Sequence, residues 1–328
     1  MGILVSVAQR TRFDPLGHGL ELPLTGTFYP AGFPLHIVTN SQQVLDAATE
    51  SWGHSRREYD TDPIRFRVVV QPEGELAAQP SFRSQGHLLS VVSDADNFCS
   101  ADMRELFASF HLSEKTAADH PWLRWFYIES MAYMLLAQRH VVPVHAGFVA
   151  RGDAGILLCG QSGAGKSTLS YACARAGWTF LADDCTWLLA DSKDRVAVGR
   201  PQQARFRDDA ARHFPELEGM VARARPNGKL SLEVPTGLLG IETATRCPVA
   251  ALVFLDRESG GLPRAESITS PEAVSLLLDD MPNYADEVNA MYERTVNALL
   301  GVPAWRLHYQ SLNDAIRILA EIQPQALI

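Results

Sequence analysis

Basic charge is the first thing this sequence lacks. Its 328 residues hold 29 Lys and Arg against 38 Asp and Glu, a formal net charge of −9. A general nucleic-acid binder carries the opposite balance, so no nucleic-acid partner is expected, although a local basic patch for phosphate stays open. Cysteine is scarce. Cys99, Cys159, Cys173, Cys185 and Cys247 are odd in number and show neither CxxC nor Cys/His metal spacing. That argues against a disulfide framework and for free thiols in a reducing cytosol. Long apolar runs are missing as well. The most hydrophobic stretch, Trp122 to Ala137, is interrupted by Arg124 and Glu129 and is short for a bilayer span. Met1 to Gly17 has a short apolar run with no basic region ahead of it, unlike a secretory signal. The expectation is a cytoplasmic protein with no membrane segment, no internal repeat and no low-complexity tract.

What the chain does have is an ordinary soluble composition, 46% hydrophobic and 20% charged, and enough length for one large domain or two ordinary ones. Its most specific stretch is GQSGAGKST: Gly160, Gln161, Ser162, Gly163, Ala164, Gly165, Lys166, Ser167 and Thr168. The apolar run Ile156–Cys159 precedes it. After it, Leu169, Ala172, Cys173 and Ala176 recur with helical spacing, and Gly177 stands at a C-cap position. Strand, glycine loop, then helix is the context in which GxxxxGK[ST] reads as a phosphate-binding loop rather than a chance match. There the backbone N–H groups and the positive helix end meet a β-phosphate. Lys166 is expected to bridge the β- and γ-phosphates, and Ser167 to ligate Mg2+. The cofactors expected are therefore ATP, or another nucleoside triphosphate, and Mg2+.

The first 118 residues read as a small α+β module without chemistry. Strands are expected at Leu35–Thr39, Ile64–Val70 and His87–Val92. A helix is expected over Ser41–Ser51, capped by Asn40 or Ser41, and a short helix or strand over Met103–Phe110. His36, His54, His87, His111 and His120 lack ligand spacing and read as surface or packing residues. A buried helix is expected to open at Asp119-His120-Pro121 and to run to about Gln138, apolar nearly all round. The domain boundary is set at its start, giving modules 1–118 and 119–328.

Beyond the loop helix, Thr179–Ala182 reads as a strand ending in Asp183-Asp184. Mg2+ needs an oxygen ligand besides Ser167 and the phosphates, and a hydroxyl nucleophile needs a carboxylate to orient it and take its proton. On an extended strand the pair points to opposite sides, so one can serve each task; an ordinary acidic turn is the competing reading. His145, ahead of the loop, either helps neutralise charge near a γ-phosphate or packs. Thr186–Ala190 with Arg195–Val198 form an expected hairpin. Val249–Leu255 and Ala304–Tyr309 are expected strands, and Ser270–Leu278, Asp286–Leu300 and Asn313–Ile322 expected helices. Between them, residues 199–230 carry Arg200, Arg205, Arg207, Arg212, Arg223, Arg225 and Lys229 among several acids. This is either a solvated mixed face or a segment bringing cations to phosphate.

His145, GQSGAGKS at 160–167 and LADD at 181–184 resemble, in order and spacing, the bacterial serine kinase of sugar regulation, HPr kinase/phosphorylase. The AGW before the Asp pair and the closing PAWRLHY look closer still to HPr-kinase-related proteins of diverse gene clusters. The resemblance covers roughly residues 140 to 328. It implies an α/β P-loop kinase domain of the HPr-kinase/PEP-carboxykinase type beside the smaller N-terminal α+β module. It also implies Asp184 as general base, Asp183 and Ser167 on Mg2+, and His145 near the transferred phosphate. The family's second signature has only a loose echo in Leu232–Gly240, so HPr as the acceptor and the phosphorylase reaction are left open.

Other phosphate-loop classes fit less well. There is no LSGGQ, and Asp256 at the end of Val253–Asp256 is followed by Arg257 rather than Glu, unlike a transport ATPase; no NKxD supports a GTPase. A nucleotide-gated binding protein without transfer activity, and a PEP-carboxykinase-like enzyme, remain as alternatives. The expected activity is transfer of a γ-phosphate to a hydroxyl of a peptide, protein or small molecule, with homo-oligomer formation left open.

Overall fold

The computed structural model describes residues 19–226, 228–257, 261–281 and 286–322, so the signal reading of Met1–Gly17 lies outside it. The structure is mixed α/β and divides into two compact units, Met1–Gln138 and Arg139–Ile328. The expected boundary at 118/119 differs from this division by the helical segment after Asp119, which clusters with the first unit.

In the first unit the strands are β1 (Leu24–Phe28), β2 (Leu35–Thr39), β3 (Ile64–Gln71), β4 (Ser81–Gln85), β5 (Leu88–Val92), β6 (Phe98–Asp102) and β7 (Phe107–Ser113). They form one sheet in the order β1-β2-β3-β7-β6-β5-β4. β2, β3 and β7 pair in parallel and the rest antiparallel. The helix Gln42–Trp52 buries Val44, Ala47, Ala48 and Trp52. Its N-cap is Ser41, without a side-chain bond, while Asn40 exchanges two 2.8 Å hydrogen bonds with the backbone of Val70 instead. Met103–Phe110 resolves into a turn followed by β7, with Leu106 at φ 50°. Asp119 accepts the Trp122 N–H and opens the segment His120–Leu136, which passes through a π-helical stretch at Arg124–Ile128. Among the unassigned histidines, His111 is buried and stacks on Phe98, and His120 bonds Glu50 and Gln43.

In the second unit the strands are β8 (Val141–Val144), β9 (Ala146–Arg151), β10 (Ala154–Cys159), β11 (Thr179–Ala182), β12 (Thr186–Leu189), β13 (Val196–Val198), β14 (Gln203–Phe206), β15 (Arg223–Ala224), β16 (Leu230–Pro235), β17 (Arg246–Asp256), β18 (Arg264–Ile268) and β19 (Ala304–His308). β17 is the strand the others share. Its first residues pair antiparallel with β13, and the rest lie parallel between β10 and β19. β9 and β10 form a hairpin, and β12 and β13 form the expected one. Burial explains the sequence pattern: every residue of β10 is buried, so it runs apolar without alternation. The helix Lys166–Arg175 packs Leu169 and Cys173 into a core with Ile156, Leu158, Val253 and Leu307, which the helix Leu312–Glu321 covers with Ile318 and Leu319. Its other face sends Tyr171 and Ala172 against Phe206 and Phe214. No helix of the described residues is long and apolar enough to cross a membrane.

Gly155 marks where β10 is squeezed hardest. A Cβ there would stand 2.5 Å from the Pro248 carbonyl oxygen and 2.6 Å from the Phe148 ring, at a register shift between β10 and β17. Gly155→Ala is therefore expected to lose about 1–3 kcal/mol of stability in urea unfolding, the usual cost of overpacking. An unchanged midpoint would show that the two strands separate freely.

Candidate functional site

β10 ends at Cys159, and the next six residues turn the chain into the helix Lys166–Arg175. Three glycines of the turn take positive φ, which other residues rarely adopt: Gly160 at 148°, Gly163 at 92° and Gly165, the helix N-cap, at 99°. Gln161, Ser162 and Gly163 are exposed, whereas Ala164, Gly165, Ser167 and Thr168 are half-buried. Lys166 is only 4% exposed, so its ammonium points back along the loop rather than into solvent. It donates to the carbonyls of Gly160 at 2.6 Å and Gln161 at 3.2 Å, closing the loop into a ring. Burial lowers its pKa, against an opposing pull from Asp184.

The two aspartates after β11 meet different surroundings. Asp184 Oδ1 accepts a 2.8 Å hydrogen bond from His145 Nε2 and lies 3.8 Å from Lys166 Nζ. An ionised carboxylate only accepts, which fixes the His145 proton on Nε2 in this contact. That hydrogen bond is the main reason the Asp184 pKa falls below the ordinary value. Asp183 turns inward. It is 6% exposed, and its Oδ2 accepts the N–H of Arg205 at 2.9 Å. Burial pushes its pKa up. The opposite orientation expected for the pair is present, and it gives adjacent carboxylates contrasting electrostatics. Among the described residues, no group of three or more His, Cys, Asp or Glu gathers into a metal cage.

His145, Lys166 and Asp184 thus come together, although 39 residues separate His145 from Asp184. A close backbone approach accounts for this. A Cβ on Gly147 would collide with Ser170 Oγ and stand 3.2 Å from the Asp183 carbonyl and 3.5 Å from the Lys166 carbonyl. Without one, β9 abuts both the loop helix and the turn after β11. Sequence reasoning passed over Gly147, because only its neighbours in space show what its missing side chain permits. It also passed over Asp280, which ends the helix Ser270–Asp279 and places Oδ2 3.9 Å from His145 Nδ1. A cavity of about 360 Å³ opens here, with Phe254 and Leu277 on its apolar walls and His145, Gly160, Gln161 and Asp280 among its polar lining.

No family model matches the chain, and no curated protein matches it in sequence. Among solved structures one match is the Hpr(Ser) kinase/phosphatase from Coxiella burnetii. It is 13% identical with a TM-score of 0.31, covering 55% of this chain and 94% of that one. At that score the likeness establishes neither fold nor activity.

Arg205 pairs with Glu233 at 3.0 Å within the small sheet β14-β16-β15, as a mixed polar face would. Arg207, two residues on, lies against the glycine loop at Gly163.

Asp183 yields a stability test independent of any activity. Its folded-state pKa is raised above the ordinary 3.8, so the ionised form costs stability at neutral pH. That cost fades as pH falls through the raised value toward the unfolded one. Asp183→Asn keeps an acceptor for the Arg205 N–H and removes the buried charge. Its melting temperature is expected to exceed that of the parent at pH 7, with the gain shrinking on acidification. A lower melting temperature at pH 7 would mean that the charge is compensated in place.

Proposed function

We propose that this chain is a Mg2+-dependent kinase that transfers the γ-phosphate of ATP to a hydroxyl, with Asp184 as general base. The observation that carries the reading is Asp184 Oδ1 held 2.8 Å from His145 and 3.8 Å from the Lys166 ammonium, beside a glycine loop that opens a helix. The loop suits a phosphate. Its glycines keep Cβ atoms out of the concave backbone, and the helix start directs N–H groups and positive partial charge toward an anion. Lys166 would exchange its two carbonyl partners for β- and γ-phosphate oxygens.

Ser167 on the first helical turn offers a hydroxyl suited to Mg2+, and Asp183 a carboxylate whose Oδ2 is already engaged by Arg205. When bound, Mg2+ would offset the negative charge of the phosphates. The acceptor hydroxyl would enter through the cavity beside His145, Gly160 and Gln161. Its oxygen attacks the γ-phosphorus as the bond to the ADP oxygen breaks, and its proton passes to Asp184. His145, bonded to the same carboxylate, orients it and stabilises its charge. The lowered Asp184 pKa keeps that base ionised at neutral pH. A peptide, a protein or a small molecule can each present such a hydroxyl. The resemblance in the His145–Asp184 stretch adds to this reading and leaves the acceptor unnamed.

Screening labelled ATP against hydroxyl metabolites and products of neighbouring genes tests the proposal. With the acceptor found, Asp184→Asn is expected to lose about 10²-fold or more in turnover while still binding nucleotide, in the range of general-base removal. Lys166→Ala is expected to lose both binding and turnover. Native-rate turnover by Asp184→Asn would remove Asp184 from the base role. Nucleotide binding with no transfer to any acceptor would favour a nucleotide-gated regulatory protein.

A further inference from the structure

Two arginines from distant parts of the chain touch the same glycine loop. Arg207 follows β14, and a Cβ on Gly163 would stand 3.5 Å from its Nη2. Arg257 follows β17 directly, and a Cβ on Gly165 would stand 3.1 Å from its Cδ and 3.4 Å from its Nη1. Tyr309 fixes the second arginine. Its ring centroid lies 5.8 Å from the Arg257 guanidinium, and its hydroxyl donates to the Ala164 carbonyl at 3.4 Å. Both arginines are exposed, and among the described residues neither forms an ion pair with a carboxylate. With Lys166, they bring three cations onto one short turn of a protein whose net charge is −9.

Asp184, 3.8 Å from the Lys166 ammonium, offsets part of that charge, and the repulsion that remains is relieved only when an anion joins the cations. A polyphosphate removes it. Guanidinium groups suit the task because their planar fork can give paired hydrogen bonds to phosphate oxygens and stays charged at any physiological pH. We propose that Arg207 and Arg257 form a clamp over the terminal phosphates of a bound nucleoside triphosphate. This rests on the reading of the loop as a triphosphate site and adds how the site counts phosphates. The loop backbone and Lys166 serve the inner phosphates. The two arginines grip the outer oxygens, where charge shifts during transfer. Arg257 occupies the place after a strand-terminal Asp where a transport ATPase would carry Glu. An arginine supplied from within the chain makes a partner's arginine unnecessary for transfer. Arg207 makes one member of the arginine-rich segment a ligand residue, while Arg205 stays in the polar face beside it.

The test is equilibrium titration of ATP, ADP and AMP, each with Mg2+, into the full chain and its variants Arg207→Gln, Arg257→Gln and Arg257→Lys. The parent is expected to bind ATP more tightly than ADP, and ADP more tightly than AMP. Each Gln variant should weaken ATP roughly tenfold, the loss of about one charge-assisted hydrogen bond, and leave AMP unchanged. Arg257→Lys keeps the charge near Tyr309 and should recover part of the ATP affinity. Melting temperatures without nucleotide should match the parent for Arg207→Gln, which separates lost binding from lost folding. Parent-like ATP affinity in both Gln variants, or an equal loss for AMP, would overturn the clamp while leaving the kinase reading standing. A parent that binds no nucleoside triphosphate would overturn that reading and the clamp with it.

Discussion

The parallel pairing of β10 with β17 is the constraint on which the second unit depends. Leu157, Leu158 and Cys159 lie opposite Leu252, Val253 and Phe254, so both strands run out at one edge of the sheet. Parallel strands buried on both faces have no room for polar alternation, which is why the two are nearly continuous apolar runs. Beyond that edge the chain must turn, and the turns carry the proposed site. The glycine loop leaves β10, Asp256 ends β17, and Arg257 follows it. β19, parallel to β17 on its other side, leads into Tyr309 beside Arg257. In open α/β sheets the crevice beyond the carboxyl ends of the strands is where ligands bind, so the proposed site occupies the expected place for a physical reason.

Electrostatics around the loop divides into an inner and an outer part. Inside, Asp183 is buried against the Arg205 backbone and carries a raised pKa, a cost the fold bears for a carboxylate at that position. Outside, Asp184 is half exposed and held ionised by His145 and Lys166. Two chemically identical neighbours thus differ in acidity because one lost its water and the other gained hydrogen-bond donors. Lys166 stands between the two regions. Its burial alone would favour the neutral amine, and the carbonyls of Gly160 and Gln161 with the Asp184 charge hold the proton on it.

Much of this was legible because the chemistry is local in sequence. The strand–loop–helix at 154–175 and the Asp183-Asp184 turn are each written within a few residues, so spacing alone recovers them. His145 came from the same order of motifs. What stayed hidden depends on contacts across the chain. Gly147 looks ordinary until Ser170 is seen against it, and Arg257 until Gly165 is. β4, exposed along its whole length, has no buried face to print an apolar rhythm, so Ser81–Gln85 did not read as a strand. β14 and β16 lay within a charged stretch whose composition masked alternating burial at Ala204, Phe206, Leu232 and Val234. The domain boundary moved for a related reason. A helix apolar on nearly every side does not reveal from its sequence which unit it belongs to.

The central claim is that the loop from Gly160 to Thr168 holds the phosphates of a nucleoside triphosphate. A crystal structure with Mg2+ and a non-hydrolysable ATP analogue tests it most directly. The β- and γ-phosphates are expected within hydrogen-bond reach of the backbone N–H groups at Gly163–Ser167. Lys166 Nζ is expected to have moved from the Gly160 and Gln161 carbonyls to phosphate oxygens. Lys166 still bound to those carbonyls at saturating analogue, with the phosphates elsewhere or absent, would contradict it.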